Sequence, residues 1–283
     1  MANRLDNFIP EIWSGNLLFT KTKSLVYGGL ANRKYEGLIR ASGDRVKINQ
    51  MGPITISSYT KNSTSAISTE FLADGQIWLD IDQAKYFAFK VDDVDKAQSD
   101  IGIMTAAMDR AAYALNDTAD QYLAGLHSQA GLLQGTTAIT IKSSNVEAEF
   151  LKVGQVMDEA NASRASRFAV IPPWLVTKIT IAYWNKVTDN KPAYDNGFVG
   201  RAYGFDFYVS NNVVKSSTSN DACKIISGIP GESFSFAEQI MNVEAIRDPN
   251  SFSDIIRGLN VYGGRIVQAD VTAVATFTYA AES

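Results

Sequence analysis

KAQSDIGIMTAAMDRAAYALNDTADQYLAGL, residues 96–126, is the stretch on which the fold turns. It contains no proline, and Ile101, Met104, Met108, Ala111, Leu115, Ala119, Tyr122 and Leu126 recur at steps of three and four. That period draws one apolar face along an α-helix. At 1.5 Å per residue the helix would run roughly 46 Å, far above the average length. Asp92, Asp93 and Asp95 stand where acids favour a helix start, and Gly125 and Gly131 mark its end. A methionine and aromatic stripe at this spacing predicts core.

Upstream the period drops to two. Val46 and Ile48 alternate with Arg45, Lys47 and Asn49, then Gly52-Pro53 punctuates and Ile54-Thr55-Ile56-Ser57 follows. A polar run from Ser57 to Ser65 comes next, which predicts a strand, a polar loop and a returning strand near Ala66–Phe71. A second extended stretch runs from Ile77 to Val91. Together they read as a long hairpin that projects and comes back. Before it, Phe8, Ile9, Ile12, Trp13, Leu17, Leu18 and Phe19 form a dense apolar cluster interrupted by Pro10 and Gly15, with a short helix over 12–19. Side chains of that size must bury on their own core or on a neighbouring subunit.

Downstream, helix and strand alternate. Ile139–Ile141 reads as a short strand. Ser144-Asn145-Val146-Glu147 reads as a capping box opening a helix with Val146, Phe150, Val153, Met157 and Ala160 on one face. Arg167–Ile171 reads as a buried strand, and Pro172-Pro173-Trp174 starts another helix, with proline in the tolerated first turn. Trp184–Gly204 reads as a long loop. Strands follow at Phe205–Val209 and Cys223–Ile226, a short helix over 231–241, and strands at Val243–Arg247, Leu259–Tyr262, Arg265–Val267 and Val271–Tyr279. Neither an internal repeat nor a proline-rich linker divides the chain.

The 283 residues are 46% hydrophobic and 20% charged, enough for a sizeable core and unlike disordered or fibrous chains. No apolar run is long enough to span a bilayer, and the first residues lead into no signal-like apolar stretch. The net charge of −4 carries no basic footprint for nucleic acid. It is unevenly spread: residues 1–50 hold eight Lys/Arg against four acids, so the rest of the chain is −8, and residues 69–100 hold eight acids against three lysines. Such surfaces attract one another or stand apart, each solvated.

Chemistry is scarce. With one histidine, His127, and one cysteine, Cys223, an internal disulfide and a His/Cys zinc site both lack partners. No phosphate-loop, dinucleotide, nucleophile-elbow, zincin or CxxC motif occurs. Asp93-Val94-Asp95 begins like a calcium loop, but Gln98 stands where glycine is required. Ser58–Lys61 matches SxxK in a loop with no companion motif. His127 at a helix end and Cys223 before a buried strand read as structural. Glu147 and Glu149, like Asp80 and Asp82, read as surface acids. No catalytic, cofactor-binding or metal residue is assigned, and the chain reads as a structural or binding protein rather than an enzyme.

The order of elements resembles the major capsid proteins of tailed bacteriophages, of Hong Kong 97-like fold, over nearly the whole chain. Phe8-Ile9-Pro10-Glu11-Ile12-Trp13-Ser14 with Leu17-Leu18 looks like their N-arm, the projecting hairpin like their E-loop, and the long helix like the spine of their peripheral domain. Arg167–Trp174 resembles the strand-to-helix step of the axial domain, and Gly200–Asn212 the segment after its axial loop.

The resemblance implies an α+β chain divided into an N-arm (1–43), an E-loop (44–76), a peripheral domain with the spine helix (77–137), an axial domain (138–241) and return strands (242–283). It implies self-assembly into hexamers and pentamers of an icosahedral head shell around the phage genome. No cofactor is implied. The partners would be other copies, a separate scaffolding protein (the arm begins at Met1), a portal at one vertex, packaged double-stranded DNA without sequence-specific contact, and a decoration protein. No membrane is involved. The location would be the virion capsid, assembled in the host bacterial cytoplasm through a procapsid. The candidate inter-subunit contacts are Phe8, Ile12, Trp13, Leu17, Ile54, Ile56, Tyr59, Lys61 and Asn62. Some members cross-link at the E-loop through a Lys–Asn isopeptide bond. Lys61 is suitably placed, but no asparagine and glutamate pair can be assigned to it, so no cross-link is expected. The alternatives are the shell of a cargo-loaded bacterial nanocompartment with the same fold, an unrelated α+β enzyme, and a tail or adhesion protein.

Overall fold

The computed structural model describes residues 26–35, 45–51, 54–58, 61, 69–71, 74–92, 102–184, 198–216 and 222–281. In chain order the elements are α1 (Tyr27–Leu30), β1 (Arg45–Met51), β2 (Asp74–Asp80), β3 (Gln83–Asp92), α2 (Gly102–Gly125), β4 (Leu132–Ile141), α3 (Val146–Glu159), β5 (Phe168–Ile171) and α4 (Pro173–Trp184). Then come β6 (Phe198–Ala202), β7 (Phe205–Val209), β8 (Lys215–Ser216), β9 (Ala222–Gly228), β10 (Phe234–Arg247), β11 (Ser253–Ile266) and β12 (Ala273–Tyr279). The class is α+β.

Three sheets organise them. β1 and β2 form a two-stranded hairpin, β10-β11-β3 a three-stranded antiparallel sheet, and β4-β12-β9-β5-β7-β6 the main path of a seven-stranded mixed sheet, with β8 paired to β9. The large sheet owes its centre to short apolar runs. Every residue of β5, Phe-Ala-Val-Ile, is buried, as a strand covered on both faces must be. α3 lies on this sheet through Val146, Phe150, Val153 and Met157, the face its 3.6-residue period marked. The Phe150 ring meets Phe207 at 4.9 Å and Phe277 at 5.5 Å, both edge to face. Removing such a side chain from water contributes about 2–3 kcal/mol.

α2 carries the long apolar stripe. In its last turns Ala119, Leu123 and Ala124 are buried, and Leu126 follows in a 3-10 turn, Leu126–Gln129. Tyr122 stands edge-on to Tyr262 of β11 at 5.5 Å. β11 comes this close because Gly264 has no side chain: a Cβ there would lie 2.8 Å from the Leu123 side chain. Lys96–Ile101, the start of the predicted helix, lies outside the described residues, as do Asp93, Asp95 and the predicted helix over 12–19. Asp92 ends β3 opposite Ser253.

Several expectations are corrected. The strand that pairs with β1 is residues 74–80, with Met51 opposite Asp74 and Arg45 opposite Asp80; of the predicted return near 66–71, residues 66–68 lie outside the described residues and 69–71 are not strand. Residues 231–241 are no helix; Phe234 onward is strand, because the aromatic alternation is claimed by pairing with β11 along its whole length. Residues 198–202 are strand, folded onto β7 through the turn at Tyr203-Gly204. The separate tail strands over 259–267 are one strand, β11. The strand at 139–141 begins at Leu132; its pairing to β12 breaks between Gln134 and Ile139, and the exposed residues between them hid the continuity. The capping box does not form. Asn145 is the N-cap, and its side chain turns back to accept from Lys142 N at 2.8 Å and donate to Thr140 O at 2.9 Å.

Candidate functional site

The residues predicted to touch neighbours divide into two groups. Phe8, Ile12, Trp13, Leu17, Tyr59 and Asn62 lie outside the described residues. Ile54, Ile56 and Lys61 are described, and all are exposed. Ile54 is 66% and Ile56 95% exposed, and the opposite limb adds Phe71, fully in solvent. Thr55 N–H of one limb donates to Glu70 Oε1 of the other at 2.6 Å, and among the described residues neither limb is strand beyond β1 and β2. Three large apolar side chains therefore stand on a projection that offers them no cover. Phe71 was missed because a lone aromatic after a serine- and threonine-rich run reads as the end of a buried strand.

The base of the projection is anchored. Val46, Ile48, Leu79 and Ile81 form a small core of their own with Ala237 of β10 and Val261 of β11. Arg45 Nε holds Asp80 Oδ1 at 2.7 Å, so one of the cations of the basic start already meets the acidic stretch within the chain. Arg265 donates to the Trp78 carbonyl at 2.8 Å.

A second exposed aromatic sits at the far end of the three-stranded sheet. Between β10 and β11, Asp248 accepts from the Lys90 ammonium, from Asn250 N at 2.9 Å and from Ser251 Oγ at 2.8 Å. These bonds, the lysine's first, hold its carboxyl at about 2. The ordered turn presents Phe252, 80% exposed.

Near the other end of that sheet a cleft of about 490 Å³ opens between α1, α2 and β10. Asp120, Asn116, Gly28, Arg33 and Glu238 border it, with Arg33 Nη2 3.4 Å from Glu238 Oε2. Asp120 is 3% exposed, and burial raises its carboxyl above the usual range against the hydrogen bonds it accepts.

His127 Nδ1 lies 3.3 Å from the Ala124 carbonyl, and burial lowers the imidazole below its usual value. Cys223 is free and buried in β9. Glu149 is a correction: it is buried, accepting from Gln134 Nε2 at 2.8 Å and pairing with Lys152 at 2.8 Å. Asp80 and Asp82 are spent on Arg45 and on the Tyr122 hydroxyl. Among the described residues no three His, Cys, Asp or Glu are grouped as metal ligands. No described helix is long and apolar enough to cross a membrane.

Neither a protein-family model nor a curated protein sequence matches the chain. Solved structures do. A chain from Mycobacterium phage Che8 is 28% identical, with a TM-score of 0.72 over 96% of this chain and 97% of its own. The capsid of Cyanophage P-SCSP1u gives 16% identity and a TM-score of 0.71 over 95% and 92% of the two chains. The mature capsid of bacteriophage PhiM1 gives 15% identity and a TM-score of 0.67 over 94% and 91%. These matches do not favour the nanocompartment alternative. With the anchored projection, the long helix and both larger sheets in one architecture that matches phage capsid chains over more than nine-tenths of their length, the protein has the fold of tailed-phage major capsid proteins, the Hong Kong 97-like fold.

Proposed function

We propose that the protein builds a closed icosahedral head from hexamers and pentamers, and that its role is mechanical rather than catalytic. The observation that carries this reading is the projection with Ile54, Ile56 and Phe71 in solvent on a base held by its own core. A single subunit gains nothing from such exposure; a neighbour that covers it gains the burial of all three. Residues 44–76 act as the E-loop and lay Tyr59, Lys61 and Asn62 on the adjacent copy. Residues 1–43 act as an arm that buries Phe8, Ile12, Trp13 and Leu17 between subunits. The division into peripheral (77–137), axial (138–241) and return (242–283) segments follows from the same reading. So do a separate scaffolding protein, a portal, a decoration protein, enclosed double-stranded DNA and assembly in the bacterial cytoplasm. Copies hold one another without covalent links, so boiled particles run as one monomer band.

The test is the variant Ile54→Asp/Ile56→Asp/Phe71→Asp. The expected outcome is a subunit that melts like the parent but sediments as unassembled protein. Shells formed at the parental yield would overturn the reading.

A further inference from the structure

Asp120 joins three distant parts of the chain. Its Oδ1 accepts the backbone N–H groups of Val26 at 3.1 Å, Tyr27 at 2.8 Å and Gly28 at 3.3 Å. Its Oδ2 accepts from Asn212 Nδ2 at 3.0 Å, and the same amide nitrogen reaches Asp117 Oδ1 at 2.8 Å. Asn212 belongs to the turn after β7, where Ser210 N is bonded to the Ile171 carbonyl of the large sheet. One carboxylate on the long helix thus ties the entry of α1 to the seven-stranded sheet.

The need for it is physical. α1 is a single turn, too short to be stable by itself. Its first N–H groups have no intrahelical partners, and Val26 at the cap position has no side-chain acceptor. The Asp120 carboxylate supplies from another element what a capping residue would supply locally. Beyond α1 the chain is pinned again, with Asn32 N donating to Phe234 O at 2.8 Å and Phe236 N to Asn32 O at 3.0 Å. Residues 26–32 are therefore held at both ends, and the Asp120 end is the one to which residues 1–25 are joined.

We propose that Asp120 is the positioning residue of the N-terminal arm: it sets the direction in which residues 1–25 leave the subunit and, through Asn212, keys that direction to the junction of the long helix with the large sheet. This rests on the reading of residues 1–43 as an assembly arm. An arm whose root is fixed reaches its neighbour with a higher effective concentration than one on a free swivel, because the ordering is done before contact. Among the described residues the other acids facing the cleft are already engaged. Across the cleft Glu238 is engaged by Arg33 and by Asn260 Nδ2 at 2.6 Å, and on α2 itself Asp117 faces Asn212.

The experiment uses trypsin on the unassembled full-length subunit, followed by sedimentation of assembled material. Lys21 and Lys23 report the root of the arm, and Lys61 is the internal reference. Asp120→Ala removes every bond; Asp120→Asn keeps an oxygen toward the three N–H groups but turns an amide donor toward Asn212. The expected order of cleavage at Lys21 and Lys23, relative to Lys61, is parent below Asp120→Asn below Asp120→Ala. The last step should be about ten-fold or more, with shell yield falling in the same order. Should Asp120→Ala fail to fold, Asp120→Asn alone carries the comparison. Unchanged relative cleavage in a folded variant would overturn the proposal, as would lost protection with a normal shell yield. A parent protein that forms no shells at all would instead overturn the shell reading, and the protection ratios would still decide the role of Asp120.

Discussion

Gly263 of β11 passes so close to the backbone of Asp80 that a Cβ on it would sit 2.1 Å from the Asp80 carbonyl oxygen. The obstacle is backbone at the foot of the projecting hairpin, so no side chain can swing aside. Gly263→Ala should destabilise the subunit by about 1–3 kcal/mol, the usual cost of overpacking, read as the urea midpoint of unassembled protein. Gly29→Ala, where nothing lies within 4 Å of the added carbon, is the control; helix propensity favours it by up to about 1 kcal/mol. Equal effects at the two sites would show that β11 does not press on the hairpin foot.

Arg167 is a buried cation, its side chain 4% exposed, with four hydrogen bonds. It donates to Ser163 O at 2.7 Å, Ala162 O at 2.7 Å, Gly154 O at 3.2 Å and Asp158 Oδ1 at 2.7 Å. It thereby closes the turn between α3 and β5. Arg167→Met fills the space but leaves those carbonyls bare and should cost roughly 2–3 kcal/mol. Arg167→Lys, a point charge without the fork, should recover part of that loss. A methionine variant as stable as the parent would show the turn to be held by packing alone.

Two carboxyls should bend the pH profile in opposite directions. Asp248 is held at about 2, first by Lys90, so its folded value lies below the ordinary one. Its contribution is complete at neutral pH and is lost as pH falls from about 4 to about 2. Asp120 lies above the ordinary value because it is buried. Its ionisation therefore costs the fold something that disappears as pH falls below its raised value. Urea midpoints from pH 7 to about pH 3 should show Asp248→Asn less acid-sensitive than the parent and Asp120→Asn more so. Deviations of the same sign would refute one assignment. The cost at Asp120 also fits a group kept for position rather than for stability.

Salt separates charge from apolar contact in assembly. Residues 1–50 are +4 and the rest of the chain −8, yet Arg45 already spends one cation on Asp80 within the chain. If the remaining charges hold copies together, shell yield should fall from about 0.05 to about 1 M NaCl, as screening shortens to roughly 3 Å. If Ile54, Ile56, Phe71 and the apolar arm dominate, the yield should stay level or rise. We expect decline at the lower salt range, measured by sedimentation. A yield that climbs from the first increment would mark the charge asymmetry as incidental.

Periodicity made α2 and α3 legible, but not the single turn α1. The faces of α2 and α3 were marked by residues three and four apart, and β5 by an unbroken apolar run. What sequence hid was set at a distance. Asp120 interrupts an apolar face as a solvent-facing acid would, and only the fold brings Val26 and Asn212 to it across more than 90 residues. Phe234–Glu238 has helix-forming Ala and Glu, but β11 supplies the backbone partners that decide for strand. Asn145 was one residue from the predicted cap, because its side chain serves the preceding turn. The projecting hairpin was legible in kind but not in register, since its limbs are polar where they leave the ladder. Of the candidate contacts, Ile54, Ile56 and Lys61 are described and exposed, while the exposed Phe71 and Phe252 gave no periodic signal.

The weave of the strands also bears on how the protein is made. β3 waits for β11, where Gln83 pairs with Tyr262 and Asp92 with Ser253, and β4 and β9 wait for β12 to come between them. The central strand of the three-stranded sheet and an inner strand of the seven-stranded one therefore come later in the chain than every strand they pair with. A chain cut short by premature termination lacks both, so its two sheets stay open and its hairpin foot loses Val261. Both sheets therefore close only once β11 and β12 have been made.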